Sequence, residues 1–493
     1  MFDKIKTLAS DTVIYGFFMI IGRFLTFLLT PLYTNYLSQQ EVGEVNYIFS
    51  LIAFINIIYS FGMEATFFRF YSKDNIIENK KVYTHTFFTI AFIGLFISSL
   101  IFIFSENFSI YLVDLPNSVG LLRLAIIIPF LDGLMIVPYA LLRMERAVRK
   151  FSIIRLSLIL ISVLSNILFI VVLKWGVEGV FIANIIASAI GIGVFSTSII
   201  KYLYFKFDLK LYKQMLRFGV PTVPANLSAM ILQVADRPIL KLLTNSEVVA
   251  LYSVNHRLGL PMMIFVSVFE YAWKPFYLSH FEDNDAKQLF ARVLTYFTLA
   301  GAIIFLSFGF FNEFIVRLPF IGGKFINEAY WHGLAIVPII LGGYFFNGIF
   351  INFAAGYHIT KRTEFFPIAV GSAAIVNIIL NFTLIPLISY WGAAIAFLAA
   401  YITCAGVLLY FSFRIYPIKY ELRRLLTIVA TTLIVFFITM YVSSGLNLWT
   451  VLIIRLGAIF VFILLLWLLR FFNKSELKRV KDIFFKKKNS VNI

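Results

Sequence analysis

The sequence predicts an all-α polytopic membrane protein of about 14 transmembrane helices, arranged as two six-helix lobes with pseudo-twofold symmetry plus two extra C-terminal helices. Three observations support this fold class: an apolar composition, repeated apolar segments of spanning length, and basic residues concentrated in alternate loops. Of 493 residues, 61% are hydrophobic and only 14% are charged, with a mean hydropathy of +0.90. Because soluble domains carry about a quarter charged residues, this composition excludes a soluble enzyme, a disordered chain and a nucleic-acid binder.

About fourteen apolar segments reach the roughly 20 residues that a spanning helix needs. Their approximate bounds are 10–36, 42–68, 86–104, 119–142, 152–173, 177–200, 216–242, 247–275, 289–316, 330–357, 363–388, 391–413, 423–442 and 449–470. No small-residue cleavage site follows the N-terminal stretch, which predicts a retained first span rather than a signal peptide. Loops of at most about fifteen residues leave no room for a soluble domain.

The basic residues orient these spans. With the N-terminus in the cytoplasm, about 33 of the 42 Lys and Arg residues fall in inside loops, about 5 outside and about 4 within spans. An even number of spans also returns the Lys-rich C-terminus to the cytoplasm. The positive-inside rule therefore explains the net charge of +17, and we predict a multi-pass plasma-membrane protein with both termini cytoplasmic and no nucleic-acid partner.

Two sequence motifs recur in the same order along the chain. Leu37-Ser-Gln-Gln-Glu-Val42 follows the first span, and Leu243-Thr-Asn-Ser-Glu-Val248 follows the seventh. Trp175-Gly176 precedes the sixth span, as Trp391-Gly392 precedes the twelfth. Similar offsets between the copies indicate two parallel six-helix lobes, an architecture in which transporters place the substrate between the lobes.

The repeat divides the chain into three parts: an N-terminal lobe at residues 1–215, a C-terminal lobe at 216–416, and a terminal part at 417–493 that holds helices 13 and 14. The terminal part ends in a basic tail whose apolar residues, such as Phe472, Leu477 and Phe484, recur at helical spacing. This pattern predicts an amphipathic helix on the anionic inner leaflet. A frayed basic tail is the alternative.

Charged residues inside spans cost about 2.5–3.5 kcal/mol each on insertion scales, so they mark candidate functional sites. Arg23, Arg237 and Arg257 lie in the first, seventh and eighth spans, which should flank the cleft between the lobes. A guanidinium stays charged when buried and binds phosphate in a bidentate way. We therefore predict a cationic cavity for an anionic head group such as a lipid diphosphate. The alternative is internal neutralisation, for example of Arg257 by Asp236.

Four carboxylates are candidates for ion coupling or charge balance, namely Asp132, Asp236, Glu64 and Glu270. Asp132 and Asp236 lie within the fourth and seventh spans, where a carboxylate can serve as a proton or sodium site. Glu64 can instead form a structural pair with Arg69. Arg455, in the fourteenth span, is expected to extend toward the membrane surface without a functional role.

Prolines occur within many spans, and Pro31 and Pro238 occupy matched positions in the two lobes. Proline removes a helical hydrogen bond and bends the helix, and transporters use bent helices as gates. We predict gating roles for this pair; the alternative is that proline is simply common in membrane helices. Uncharged polar residues of the C-terminal lobe, such as Tyr344, Asn377 and Asn381, suit a sugar surface or, as we expect for most, hydrogen bonds between helices.

No motif for enzyme, cofactor or metal chemistry stands out. The five histidines lack ligand spacing, no phosphate-binding loop ends in Gly-Lys-Ser/Thr, and the single cysteine, Cys404, excludes an intrachain disulfide. Asp283-Asn-Asp285 resembles the Asp-x-Asp of metal-dependent glycosyltransferases, but no nucleotide-binding domain accompanies it. We therefore expect a protein that is not an enzyme and uses no cofactor.

Several stretches carry a family resemblance: Phe218-Gly-Val-Pro-Thr-Val-Pro-Ala225, Ala235-Asp-Arg-Pro-Ile-Leu240, Glu247-Val-Val-Ala-Leu-Tyr-Ser-Val254 and Ala272-Trp-Lys-Pro-Phe276. With them the chain resembles the polysaccharide (O-antigen type) flippases of the multidrug/oligosaccharidyl-lipid/polysaccharide exporter superfamily. The resemblance covers most of the chain. Because these motifs consist mostly of packing and turn residues, they identify the family rather than the substrate.

The resemblance implies a central cationic cavity and alternating access. It also implies a substrate, an undecaprenyl-diphosphate-linked oligosaccharide that is flipped to the outer leaflet of a bacterial plasma membrane for surface polysaccharide biosynthesis, with transient contact to a polysaccharide polymerase. A multidrug or cation antiporter of the same superfamily would need an acidic site, which the three arginines argue against. A lipid II flippase handles a similar lipid diphosphate and stays open as an alternative. The short outer loops argue against a membrane-bound polymerase or glycosyltransferase.

Overall fold

A computed structural model describes residues 16–72, 75–115 and 117–471. Almost every element in this part of the chain is a helix, as the apolar composition predicts. Twelve helices are long and apolar enough to span a membrane without a sharp break. They are Gly16–Tyr36, Gln39–Ser60, Ile76–Ile103, Ser118–Met144, Val148–Val172, Gly176–Tyr202, Ala286–Val316, Glu328–Ile359, Phe365–Ile388, Tyr390–Ile415, Leu422–Val442 and Leu448–Leu468.

Two further spans are bent. The seventh span consists of Leu209–Val234 and Asp236–Leu243, which meet at 59°, and the eighth consists of Ser246–Arg257 and Leu260–His280, which meet at 49°. Counting each bent pair as one span gives 14 spans in the described part of the chain, so the all-α polytopic fold class is confirmed. The sequence predicts these spans at 216–242 and 247–275, with bends at their prolines, and the two bends agree with that expectation.

Prolines explain where the seventh and eighth spans break. A proline lacks the amide hydrogen, and its ring clashes with the carbonyl group four residues earlier in a helix. Pro238 follows Val234 by four residues, and Pro261 follows Arg257 by four. Val234 and Arg257 are the last residues of their helical segments. Each bend therefore lies where the proline ring would clash with the carbonyl group of a regular helix.

Pro31 acts in the same way in the first span, but more weakly. The helix is interrupted at Leu28, directly after Phe27, which precedes Pro31 by four residues, and it resumes as Leu29–Tyr36. Gly16–Tyr36 nevertheless remains one span without a sharp bend.

The second span ends earlier than the predicted residue 68. Its helix stops at Ser60, where Phe61 and Gly62 adopt left-handed conformations with φ of 45° and 70°. A Cβ atom at Gly62 would lie 2.1 Å from the carbonyl oxygen of Gly219, so the close approach of the seventh span requires glycine here. The remaining residues form the short helix Met63–Phe70.

The third span begins at Ile76, ten residues before its predicted start. The side chain of Asn75 accepts a hydrogen bond from the amide of Glu78 and so caps the helix. Lys81 forms an ion pair of 3.1 Å with Asp208. Because caps and ion pairs satisfy the polar first turns, the helix extends beyond the apolar segment that hydropathy detects.

Short elements complete the described chain. The helix Ser105–Leu112 links the third and fourth spans, and the fifth span ends in the π-helical segment Ile167–Val172. Between the ninth and tenth spans, β1 (Pro319–Phe320) pairs with β2 (Gly323–Lys324) in an antiparallel hairpin, and the 3₁₀ segment Glu328–Ile336 leads into the helix Val337–Ile359.

The thirteenth and fourteenth spans pack against the ninth. Leu306 and Phe310 of the ninth span are fully buried against Phe436 and Phe462. This arrangement agrees with their prediction as additions to a twelve-helix body. The lobe boundary stays a prediction, and residue 215 lies inside the helix Leu209–Gly219. The predicted amphipathic tail helix lies outside the described residues.

Candidate functional site

The first, second, seventh and eighth spans meet along one interface. The second and eighth spans begin side by side there, in the two copies of the repeated motif. Ser38 caps the second span with a capping box, and the side chain of Asn245 accepts from the amide of Val248 at the start of the eighth. A Cβ atom at Gly43 would lie 1.8 Å from the carbonyl oxygen of Ser246, so the two helix starts are in direct main-chain contact.

Arg23 reaches across this interface from the first span to the eighth. Its Nη1 donates a hydrogen bond of 2.6 Å to Oγ of Ser267. The Ser267 hydroxyl donates in turn to the carbonyl of Met263, at 2.9 Å. Arg23 is partly buried, and no described carboxylate forms a salt bridge with it. Its charge is therefore held by a neutral acceptor.

Arg257 makes the reverse contact, from the eighth span to the first and second. Its Nη1 donates to Oγ1 of Thr30 at 3.1 Å, and its Nη2 donates to Oδ1 of Asn46 at 3.0 Å. Thr30 is only 2% exposed, and Arg257 is the last residue before the bend of the eighth span. Within the described chain Arg257 also lacks a salt bridge, so a second guanidinium here carries uncompensated charge.

Arg237 differs because a carboxylate neutralises it. It lies just after the bend of the seventh span, and its Nη1 donates to Oδ1 of Asp236 at 2.8 Å and to the carbonyl of Gln233 at 2.9 Å. The other oxygen of Asp236 accepts a hydrogen bond from the Tyr252 hydroxyl. Asp236 is 3% exposed, so this is a buried and satisfied ion pair.

Tyr344 of the tenth span lies among these groups. It is within electrostatic range of Arg23, Arg237 and Asp236, and its ring contacts the ring of His256 at 5.6 Å. The structure therefore brings the predicted arginines to one region, but only two of them carry unpaired charge. From the sequence, Tyr344 could be identified only as one of many polar residues of the C-terminal lobe, without a link to the arginines.

The remaining candidate carboxylates lie elsewhere. Asp132 accepts a hydrogen bond of 2.6 Å from Ser188, between the fourth and sixth spans. Glu64 pairs with Arg143 at the end of the fourth span, where both side chains are about 40% exposed. Glu270 is exposed on the eighth span within electrostatic range of Arg23, without an ion pair in the described chain.

Both alternative pairings considered from the sequence are wrong. Asp236 does not pair with Arg257, because Arg237 is adjacent to it and Arg257 points to the first two spans. Glu64 does not pair with Arg69, because Arg143 reaches it from the neighbouring fourth span.

Arg455 also departs from its prediction. It is only 6% exposed and donates to the carbonyl of Phe310 at 2.7 Å and to Glu313 at 3.4 Å. The ninth span thus supplies both a carbonyl group and a carboxylate, so the side chain turns inward instead of extending to the membrane surface.

A charged cluster that was not predicted from the sequence lies at the start of the second span. Lys241 of the seventh span bonds to Glu44, to Asp114 and to the Ser246 hydroxyl, and Glu44 is completely buried. The available signal was a basic and an acidic residue at the same predicted membrane depth in spans that should be neighbours. In the described part of the chain, no group of three or more His, Cys, Asp or Glu side chains could hold a metal ion.

Several solved membrane transporters share this arrangement of helices. One is a lipid II flippase, MurJ, in an inward closed conformation, with a TM-score of 0.74 and 19% identity over 96% of this chain and 99% of that chain. A multidrug resistance MATE family transporter of the MOP superfamily matches with a TM-score of 0.59 and 14% identity, over 80% of this chain and 94% of its own. A MOP superfamily transporter from Pyrococcus furiosus gives 0.57 and 13%, over 83% and 96%.

The fold and the charged interface between spans thus define the class, a multi-pass membrane protein with the fold of the MOP superfamily. A family model described as polysaccharide biosynthesis protein matches residues 34–327, more than half of the chain. The chain belongs to this family, and the resemblance inferred from its sequence motifs is confirmed. A search of curated proteins found no significant match.

Proposed function

We propose that this protein is a flippase that moves an undecaprenyl-diphosphate-linked oligosaccharide from the inner to the outer leaflet of a bacterial plasma membrane, by alternating access, for surface polysaccharide biosynthesis. The observation that carries this proposal is the pair Arg23 and Arg257, which bind neutral acceptors and form no salt bridge with a described residue where the first, second and eighth spans meet. The family description supports a role in polysaccharide synthesis, and the fold supports transport.

The physical task matches such a site. A diphosphate-linked sugar cannot cross about 30 Å of hydrocarbon unaided, because its hydration would be lost. Arginine donors replace that hydration, while the polyprenyl tail stays in the lipid beside the protein. An inside-negative potential assists the outward movement of two negative charges by about 4–5 kcal/mol per 100 mV when the whole potential drop is crossed.

The other charged residues take supporting roles in this proposal. Asp236 balances Arg237, and Glu64 serves as a structural partner on the predicted inner side. Asp132 and Glu270, which lack ion pairs among the described residues, are the candidates for ion coupling. Pro31 and Pro238 act as hinges, and the 59° bend at the seventh span supports this role for Pro238.

Lipid II is the second candidate substrate. The fold match to the lipid II flippase extends over almost the full length of both chains, and lipid II presents the same diphosphate chemistry to the arginines. A cation antiporter is less consistent with the site, because its buried carboxylate, Asp236, is already neutralised by Arg237.

The test is a leaflet-exchange assay in liposomes that contain the purified protein and a fluorescent undecaprenyl-diphosphate oligosaccharide, with and without an imposed potential. Arg23→Ala and Arg257→Gln should each slow exchange by about tenfold or more, since each removes hydrogen bonds to a charged group. Arg317→Ala is the matched control, because Arg317 pairs with Glu313 in an exposed setting.

The outcomes separate the candidates. Exchange that neither arginine variant slows would remove the proposed site but keep the flippase. Exchange of lipid II without exchange of the oligosaccharide carrier would select the second substrate. No exchange of either lipid, together with proton-linked efflux of organic cations, would make the protein an antiporter.

A further inference from the structure

Two arginines connect the first span with the eighth. Each of them donates hydrogen bonds to polar side chains on the opposite side of the interface. We call these contacts the seam: Arg23 with Ser267, and Arg257 with Thr30 and Asn46. The first and eighth spans run in opposite directions, so the two contacts lie at different depths. Arg23 and Thr30 are seven residues apart on the first span, about 10 Å along the helix axis.

The acceptors in the seam are all neutral, although the donors are charged. The other arginines buried within spans, Arg237 and Arg455, each reach a carboxylate. A guanidinium has five donors, and the described hydrogen bonds use one of them on Arg23 and two on Arg257. The seam arginines therefore retain both charge and donors for an anion.

An anion would displace these neutral acceptors. An ionised oxygen adds charge attraction to a guanidinium that a neutral oxygen lacks, and a phosphate can occupy two donors at once. The hydroxyl and amide oxygens of the seam hold the places that phosphate oxygens would take. Replacing them also breaks the contacts that join the two sides.

We propose that Thr30, Asn46 and Ser267 are the resting ligands of the two arginines, and that a diphosphate group displaces them and so unfastens the first span from the eighth. This inference rests on the proposed function, in which a lipid diphosphate is the substrate. The empty protein stays fastened at the seam, and loading frees the two sides to move. Substrate binding and the conformational change are thereby coupled through the same two side chains.

Diphosphate can arrive on a lipid or as a free ion, so the test uses both farnesyl diphosphate and inorganic diphosphate. Spin labels report the seam from Phe24→Cys and Val268→Cys, each next to a seam residue and 52% and 44% exposed, in a Cys404→Ala background. Double electron–electron resonance then gives the distance distribution across the seam for the full-length protein in lipid nanodiscs. Binding of each diphosphate is measured separately by isothermal titration calorimetry.

The decisive variant removes the acceptors and keeps both arginines: Thr30→Val, Asn46→Leu and Ser267→Ala combined, with Ser267→Ala alone as the milder form. Thr26→Val is the matched control, because the Thr26 hydroxyl bonds to the carbonyl of Gly22 in its own helix. Without ligand, the combined variant should raise the ratio of long to short distances roughly tenfold, as expected for lost hydrogen bonds to charged groups. The control should match the unmodified protein.

In the unmodified protein, farnesyl diphosphate should produce the same shift to longer distances, and the combined variant should bind it at least as tightly. A combined variant with unchanged distances overturns the fastening role. Bound farnesyl diphosphate that leaves the distances unchanged overturns the displacement alone. Absence of farnesyl diphosphate binding overturns a diphosphate site at the seam, and leaflet exchange tests the proposed substrate separately. An equal shift with inorganic diphosphate assigns the site to the anion rather than the lipid.

Discussion

At the residue scale, the buried arginines of this protein fall into two electrostatic settings. Arg237 and Arg455 have carboxylate partners, so their positive charges are balanced within the protein. Arg23 and Arg257 have only neutral acceptors among the described residues. Because uncompensated charge inside a membrane is costly, the second pair marks the place where a function is expected.

The Asp236–Arg237 pair should matter for stability rather than for substrate binding. Asp236→Asn leaves a buried guanidinium without its carboxylate, and we expect the free energy of unfolding to fall by about 3–5 kcal/mol. Arg237→Gln should have a similar effect, while the double variant should recover part of the loss because no unpaired charge remains. Unfolding of the purified protein in detergent by a titrated denaturant measures the three values.

Arg317→Gln is the control for this prediction, because Arg317 and Glu313 form a pair in which both side chains are more than 30% exposed. Its effect should stay below about 1 kcal/mol. A double variant whose effect equals the sum of the two single-variant effects would show that the two charges do not compensate each other.

At the scale of elements, proline determines where three of the interface spans depart from a straight helix. The seventh and eighth spans break four residues before Pro238 and Pro261, and the first span is interrupted four residues before Pro31. Arg257 ends one helical segment, and Arg237 is the second residue of another. The bends therefore place two of the candidate arginines at helix ends, where the backbone can turn.

Pro238→Ala should straighten the seventh span, because it restores the amide donor and removes the clash with Val234. We expect slower leaflet exchange, by several-fold, with the protein still folded and monodisperse. Pro275→Ala is the matched control, since Pro275 lies inside the unbroken helix Leu260–His280. Exchange that Pro238→Ala leaves unchanged while Pro275→Ala slows it would contradict a hinge at Pro238.

At the scale of the whole molecule, the interface between the predicted lobes is held at several depths. Lys241 joins the seventh span to Glu44 of the second near one membrane surface, and the seam joins the first span to the eighth farther in. The last two spans pack on the ninth. Movement of one predicted lobe against the other must therefore break these side-chain hydrogen bonds and ion pairs. The apolar packing of spans 13 and 14 against the ninth span is retained.

The orientation in the membrane can be tested with single cysteines in a Cys404→Ala background. Ile321 lies in the turn between β1 and β2 and Thr363 lies between the tenth and eleventh spans; both are exposed. The positive-inside rule predicts that a membrane-impermeant maleimide labels Ile321→Cys in intact cells and labels Thr363→Cys only after permeabilisation. The reverse pattern would invert the topology and the proposed direction of transport.

The sequence by itself determined the membrane class, the span positions and the candidate charges. Lipid forces each spanning segment to satisfy its own backbone, so a run of apolar residues is sufficient to predict a helix. The cost of buried charge marks Arg23, Arg237 and Arg257 without knowledge of the fold. The local geometry of proline likewise predicts bent spans, and the structure bends the seventh and eighth spans just before Pro238 and Pro261.

Only the tertiary structure decided which charges are free. Arg23 bonds to Ser267, 244 positions away, and Arg257 bonds to Thr30, 227 positions away. Serine and threonine are too common in membrane helices for any pattern to identify these partners. Lys241 and Glu44 are likewise 197 positions apart, and Arg455 and Phe310 are 145 apart, so the sequence alone could not predict these contacts. Charge compensation depends on which spans become neighbours, and packing between helices determines that.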